Sequence, residues 1–239
     1  MNPIGGDLIE VPRSYVARTT HTEGWFTPLV RPSAVPGMLS ARTGDTLALW
    51  VPEFVDATRF RVAEDDPVSA RLWRDGRLFA ELPDARRDVA TTAVPALYRL
   101  ELTTARGSVR WRWATRTETR WAFRSARPAP GRTEPLPLLQ IRYGVPADLT
   151  GHVSGEHPHL LGLTLWHQEG LPPPHGTALR VEISLDEGAW WRAVRVIGRG
   201  DGFRALVPAG IGSVSLRVHA QDGAGNAVSQ TVIRAYGLK

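Results

Sequence analysis

Three stretches of this sequence hold residue types that could do chemistry. In GHVSGEHPH, His152, His157 and His159 lie beside Glu156. Histidines two apart on a strand face the same side and can share a zinc ion, which needs a third or fourth ligand. Pro158 breaks the strand between them and no further ligand is evident, so a polar loop between strands is expected and no metal site is assigned. In QDGAGNAV, Asp222 and Asn226 resemble calcium ligands but lack the alternating carboxylates of a calcium loop, and GAGNA is no phosphate-binding glycine loop. A turn held by the side chains of Asp222 and Asn226 is the expectation. Among nine tryptophans, Trp166, Trp190 and Trp191 are the candidate ligand-contact residues, because exposed, coplanar indoles stack on saccharide rings.

The third stretch is PPPHGTALR. His175-Gly176-Thr177 matches the start of the subtilisin-type histidine motif H-G-T-x-V-A-G, which opens a helix. Here Ala178-Leu179-Arg180 runs directly into an alternating strand. No G-T-S-M-A, D-T-G or D-S-G segment supplies the other members of a triad, which needs nucleophile, base and carboxylate within mutual reach. His175 therefore reads as a loop histidine, and no catalytic residue or cofactor is assigned.

The elements that must position these residues are strands. Apolar residues recur with period two, as in Tyr98, Leu100 and Leu102, in Leu179, Val181, Ile183 and Leu185, and in Val214, Leu216 and Val218. Turn signals punctuate them. Asp75-Gly76 predicts a two-residue hairpin with Trp73 opposite Leu78 and Leu72 opposite Phe79, and Asp186-Glu187-Gly188 predicts a three-residue one with Gly188 left-handed. Gly223 and Gly225 mark a last hairpin. The chain reads as all-β, two β-sandwich modules in tandem. Residues 1–127 form a β-rich module, 128–137 a proline-rich linker, and 138–239 a seven-strand sandwich, immunoglobulin-like or fibronectin type III-like.

The run Val109 to Pro128 interleaves tryptophan with arginine. Val109, Trp111, Trp113, Thr115, Thr117, Thr119, Trp121 and Phe123 are odd-numbered; Arg110, Arg112, Arg116, Glu118, Arg120 and Arg124 are even. A strand sends the two sets to opposite faces, so the run is expected to wall a sandwich rather than stack bases beside phosphates. It exceeds a usual strand length of ~3 to 10 residues, which places a bend near Ala114 to Glu118. The net charge of +5 is almost all arginine, Lys239 being the single lysine. No nucleic-acid partner is expected. No apolar run approaches the ~18 residues of a membrane span. Cysteine is absent, which excludes disulfides and thiolate chemistry. MNPIGGDLIEVPRS has no charged region followed by an apolar one, so no secretion signal is read there.

From Thr117 onward, TETRWAFRSARP, PLPLLQIRYGVPADLTG, LGLTLWHQEG, VEISLDEGAWW and VSLRVHAQDGAGNAVSQTVIRAYGL resemble the C-terminal region of large secreted subtilisin-like serine peptidases of high-GC Gram-positive bacteria. DTLALWVPEF, WRDGRLF and ALYRLELTT resemble the preceding β-rich module. In that family the triad belongs to an upstream α/β domain, so no catalytic residue transfers to this chain. The resemblance implies a non-catalytic accessory region, extracellular, whose partners are the upstream catalytic domain and protein substrate or cell-wall glycan. The alternative is a stand-alone extracellular carbohydrate-binding or cell-wall-binding sandwich.

Overall fold

A computed structural model of the chain describes residues 8–9, 14, 16–20, 28–57, 61–62, 66–107 and 111–239. No helix forms among them. Their strands are β1 (Leu8–Ile9), β2 (Ala41–Thr43), β3 (Thr46–Trp50), β4 (Arg61–Val62), β5 (Val68–Arg74), β6 (Arg77–Leu82), β7 (Arg86–Ala90), β8 (Ala96–Ala105), β9 (Arg116–Ser125) and β10 (Thr133–Pro135). There follow β11 (Gln140–Gly144), β12 (His152–Val153), β13 (His159–Trp166), β14 (Ala178–Ser184), β15 (Arg192–Ala193), β16 (Val196–Arg199), β17 (Gly202–Val207), β18 (Gly212–Gln221) and β19 (Ala227–Leu238).

The fold is all-β and sandwich-like, as the period-two pattern predicts. In the first half the sheet β10-β2-β3-β7 lies against β9-β8-β5-β6; in the second, β11-β13-β17-β16 lies against β15-β14-β18-β19. Inward residues of facing sheets, such as Leu47 and Leu49 with Leu100 and Trp121, and Leu163 and Phe203 with Val181 and Leu216, belong to one core. Polar contacts also cross the layers: Arg42 of β2 reaches Ser125 of β9 at 3.5 Å, and His159 Nε2 of β13 meets the Tyr236 hydroxyl of β19 at 2.9 Å.

The two halves are joined by their sheets. β19 pairs antiparallel with β9 from Ala227↔Ala122 to Ile233↔Arg116, so the large sheet runs unbroken across the expected module boundary at 127/128. The expected linker is structured as well: β10 pairs with β2, and the amide of buried Leu136 donates to the Ser40 carbonyl at 2.8 Å. Proline and a scarcity of apolar residues give this segment a linker's composition, while its few backbone donors and acceptors complete the edge of the first half.

Parity orders β9. Thr117, Thr119, Trp121 and Phe123 are buried, and Arg116, Arg120 and Arg124 are exposed. Upstream it fails, because residues 111–115 are not a strand. Ala114 has φ 51° and Arg234 of β19 has φ 53°, and the Ala114 amide donates to the Arg234 carbonyl at 2.7 Å. The expected bend thus exists and is matched by a left-handed residue on its neighbour. Val109 and Arg110 lie outside the described residues.

The Asp75-Gly76 turn has φ 48° and 80°, and Trp73 lies opposite Leu78. Leu72, however, lies opposite Ala80, because a bulge at Leu72/Trp73 leaves Phe79 without a direct partner. Gly188 is left-handed as expected, at φ 93°, with Glu187 at 59°, but no three-residue hairpin forms: Ile183 pairs with Arg192, so the connection is the longer loop 184–191.

Between the halves sits a buried cation. Arg31, fully buried, donates from Nη1 to the carbonyls of Val55 (3.0 Å) and Asp56 (2.6 Å) and from Nη2 to that of Ile141 in β11 (3.0 Å). Removing a buried, hydrogen-bonded charge strands its acceptors and typically costs ~3 to 5 kcal/mol. Arg31→Met is expected to lower the unfolding free energy by about 3 kcal/mol in a urea titration. Arg31→Lys is expected to recover little of it, since an ammonium lacks the planar fork that serves three carbonyls. A wild-type midpoint for either variant refutes the assignment.

Candidate functional site

The three candidate tryptophans do not share a face. Trp166 closes β13, and its neighbour His167 donates from Nε2 to Asp222 Oδ2 at 3.1 Å, so it lies at the end of the second sandwich that carries the β18–β19 turn. Trp190 and Trp191 follow β14 at the opposite end, where Ser184 pairs with Ser215. Periodicity places an indole on a face and says nothing about which end of the sandwich a loop occupies.

Each end offers one aromatic surface. Trp166 borders a cleft of ≈ 240 Å³ with Val35, Pro36, Met38, Leu39 and Glu169. Its wall is pinned by buried Gln168, which accepts from the Ser40 amide (3.0 Å) and donates to the carbonyls of Ser40 (2.5 Å) and Leu136 (2.7 Å). The cleft is smaller than the ~300 to 1,000 Å³ that enclose a drug-sized ligand, and it is open enough for one ring or side chain. At the other end Trp190 is 65% exposed. Trp191 is half-buried under Arg217, whose guanidinium carbon is 4.1 Å from the ring centroid. Ser184 builds that loop by accepting from the Gly188 amide at 2.8 Å and donating to Asp186, which accepts from the Trp190 amide at 2.9 Å.

Trp111 and Trp113 form a junction that sequence reasoning assigned to a sandwich wall. Arg106 lies 3.7 Å from the Trp111 ring centroid, both residues buried, and Arg112 5.3 Å from that of Trp113, so tryptophan and arginine pack together here. Residues off a strand are not sorted by parity. Trp113 donates to the Thr150 carbonyl at 3.0 Å and meets the His152 ring edge-on at 5.2 Å. Gly237 makes this possible: a Cβ there would fall 2.6 Å from the Trp113 ring and 2.4 Å from that of His152. The adjacent Asp148 carboxyl is held well below the usual range, first by the Lys239 ammonium, then by the His152 amide and the Thr150 hydroxyl. The W-x-W spacing repeats the period of β9 and so carries no signal that this segment leaves the strand.

The histidines have separate partners. His152 Nδ1 bonds Thr150 Oγ1 at 2.8 Å, His159 bonds Tyr236, and His175 accepts through its carbonyl from Gly223. Among the described residues no three His, Asp or Glu side chains group to hold a metal. His167 has both ring nitrogens facing acceptors, Nδ1 the Pro172 carbonyl at 2.9 Å and Nε2 Asp222. Asp222 also accepts from the amides of Ala224 and Asn226 and from Asn226 Nδ2, each at 2.9 Å, as the turn expectation requires.

One serine–histidine pair was not foreseen. His219 Nδ1 and Ser229 Oγ lie 2.7 Å apart across the β18–β19 ladder. The cross-strand neighbours on that outer face are Arg180 and Arg120, two cations where a triad would place a carboxylate. Burial, and secondarily Arg180, hold the His219 ring below its ordinary range, so at neutral pH it is uncharged. In Arg180→Gln the His219 midpoint, followed by NMR of its ring protons, is expected to rise while staying below ~6.5, because burial is the larger cause. A midpoint unchanged by the substitution contradicts this.

No family model and no curated protein matches the chain. Two solved structures show a coarse likeness. One is the Bacteroides ovatus mixed-linkage glucan utilization locus SGBP-B in complex with a mixed-linkage heptasaccharide, at 13% identity and a TM-score of 0.23, covering 92% of this chain and 47% of that one. The chain thus spans about half of that protein's length. The other is the titin Z1Z2 domains in complex with telethonin, at 14% identity and a TM-score of 0.22, covering 92% and 99%.

Proposed function

We propose that this chain is a non-catalytic accessory region of a secreted subtilisin-like serine peptidase, acting outside the cell to stabilise the enzyme or to contact its substrate or the cell wall. The observation that carries the non-catalytic reading is the dispersal of its reactive groups. Ser229 and His219 face two arginines, whereas the His167–Asp222 pair is spent on holding the β18–β19 turn. A relay needs all of these in one place. In support of the family reading, the resemblance that begins at Thr117 falls on β9 and the second sandwich, which the large sheet joins through the β9–β19 pairing.

Incubated with a fluorophosphonate probe and with casein, the purified chain is expected to show neither labelling nor hydrolysis. Labelling that disappears in Ser229→Ala overturns the reading. An in-frame subtilisin-type coding region upstream of Met1 is expected in the genomic DNA, and an in-frame stop codon immediately upstream rules out a fused parent.

A second reading, glycan contact, is favoured by the exposed indole of Trp190 and the Trp166 cleft. A stacked aromatic contributes ~0.5 to 1.5 kcal/mol beyond its buried area. Retention on insoluble neutral polysaccharide is therefore expected to fall several-fold in Trp190→Ala or Trp166→Ala, and retention indifferent to both removes this reading.

A further inference from the structure

The outward face of the sheet β11-β13-β17-β16 carries a charge pattern unlike the rest of the molecule. On the large sheet most outward arginines meet carboxylates, Arg71 with Glu81, Arg99 and Arg120 with Glu101, Arg116 with Glu118, Arg217 with Glu182, while Arg124, Arg180 and Arg192 lie on strands that contain acidic residues or border one that does. The four strands of the smaller sheet contain no Asp or Glu at all. The acidic residues nearest in sequence are Asp201, in the β16–β17 turn, and Glu156 and Glu169, before and past β13. Arg142, Arg199 and Arg204 are exposed, and none of them forms an ion pair with another described residue.

Register fixes how these arginines stand. Arg142 pairs with Thr164, and Gly144 with Gly162. Gly162 in turn pairs with Arg204 and Thr164 with Gly202, while Arg199 pairs with Gly202. The middle of the face is therefore floored by Gly144, Gly162, Thr164 and Gly202. Neighbouring strands lie ~4.8 Å apart, so Arg142 and Arg204, two strands apart and two residues (~7 Å) out of line, stand ~12 Å apart across a floor of glycines and Thr164. The result is a shallow trough along β13, with Arg142 on one side, Arg204 and Arg199 on the other, the exposed Leu160 and Leu206 closing one end and the Trp166 indole at the other.

We propose that this trough binds an acidic polysaccharide, a chain of uronic-acid residues lying along β13 with its carboxylates on Arg142, Arg199 and Arg204 and a terminal ring against Trp166. The proposal rests on the glycan-contact reading and adds its chemical class and place. Guanidinium groups take carboxylates through two parallel hydrogen bonds, and a flat floor admits a sugar ribbon without a deep pocket. A single-stranded nucleic acid is the poorer fit, because successive bases need successive aromatic faces and this face offers one indole at one end.

The test compares polygalacturonate, its fully methyl-esterified neutral form and a dT20 oligonucleotide as ligands of the full chain, by affinity electrophoresis and calorimetry. Polygalacturonate is expected to bind, to weaken as salt rises, and to bind at least about tenfold more tightly than the ester. Arg142→Gln/Arg204→Gln is expected to lose about tenfold or more, and Arg199→Gln alone a smaller part. All three positions are exposed, so a wild-type melting temperature checks that each variant is folded. Equal binding of acid and ester, wild-type affinity in the double variant, or dT20 binding as tight as polygalacturonate each overturns the proposal. If polygalacturonate fails to bind while neutral polysaccharide is still held through Trp190, the trough is refuted and the glycan-contact reading survives. If neither binds, both fall.

Discussion

The pairing of β9 with β19 is the contact on which the rest of the structure depends. Each sandwich has a sheet whose edge strand would otherwise present a row of unpaired amides and carbonyls. Joining residues 116–122 of β9 to 227–233 of β19 satisfies most of both rows at once and sets the relative position of the halves by hydrogen-bond register, which a flexible tether would not do. The matched left-handed residues Ala114 and Arg234 end this pairing. Their bend turns Trp111 and Trp113 out of the ladder and into the groove between halves, where loop 148–152 meets them.

Around that seam, buried polar side chains do what a second hydrophobic interface would do elsewhere. Arg31 binds carbonyls from both halves. Gln168 of the second half holds Ser40 of the first, and Gln230 of β19 donates to the Pro32 carbonyl at 3.1 Å and to Thr119 Oγ1 at 2.9 Å. Directional bonds of this kind fix one arrangement among the many that apolar contact tolerates. They also explain why several residues that look chemically promising are structurally committed: His167, Asp222 and Asn226 hold a turn, and His152 and Asp148 hold the loop under Trp113.

Much of the architecture was legible in the sequence because it is local. The period-two pattern marks β8, β9, β14 and β18, Asp75-Gly76 marks its hairpin, and Asp222 with Asn226 marks the last one. What could not be read depends on partners distant in the chain. No local signal says that β9 will meet a strand a hundred residues later, or that a proline-rich segment will supply β10. The bulge at Phe79 shifts one register pair without any glycine to announce it. The tryptophans chosen for their exposure fall at opposite ends of one sandwich, since spacing along β13 and β14 carries no information about how those strands are paired. The arginine trough was hidden for the same reason: Arg142, Gly162, Arg199 and Arg204 come from four strands and become neighbours through register alone.

Fusing the two large sheets also decides how copies of the protein treat one another. A sheet that already joins edge to edge within the chain has the means to go on joining between chains. Its remaining edges are β14, of which β15 covers only Glu182 and Ile183, and β6, which exposes Leu78 and Phe79. On the first, the Val194 amide already donates to the Val181 carbonyl, which leaves only Ala178 to Arg180 open, a short stretch for templating a partner strand. On the second, the bulge at Leu72/Trp73 distorts the ladder beside Phe79, and Arg77 and Glu81 put charge at either end of the exposed stretch. The irregularity that broke the expected hairpin register thus acts as a guard against sheet extension, and it leaves the internal seam as the place where edge pairing is permitted.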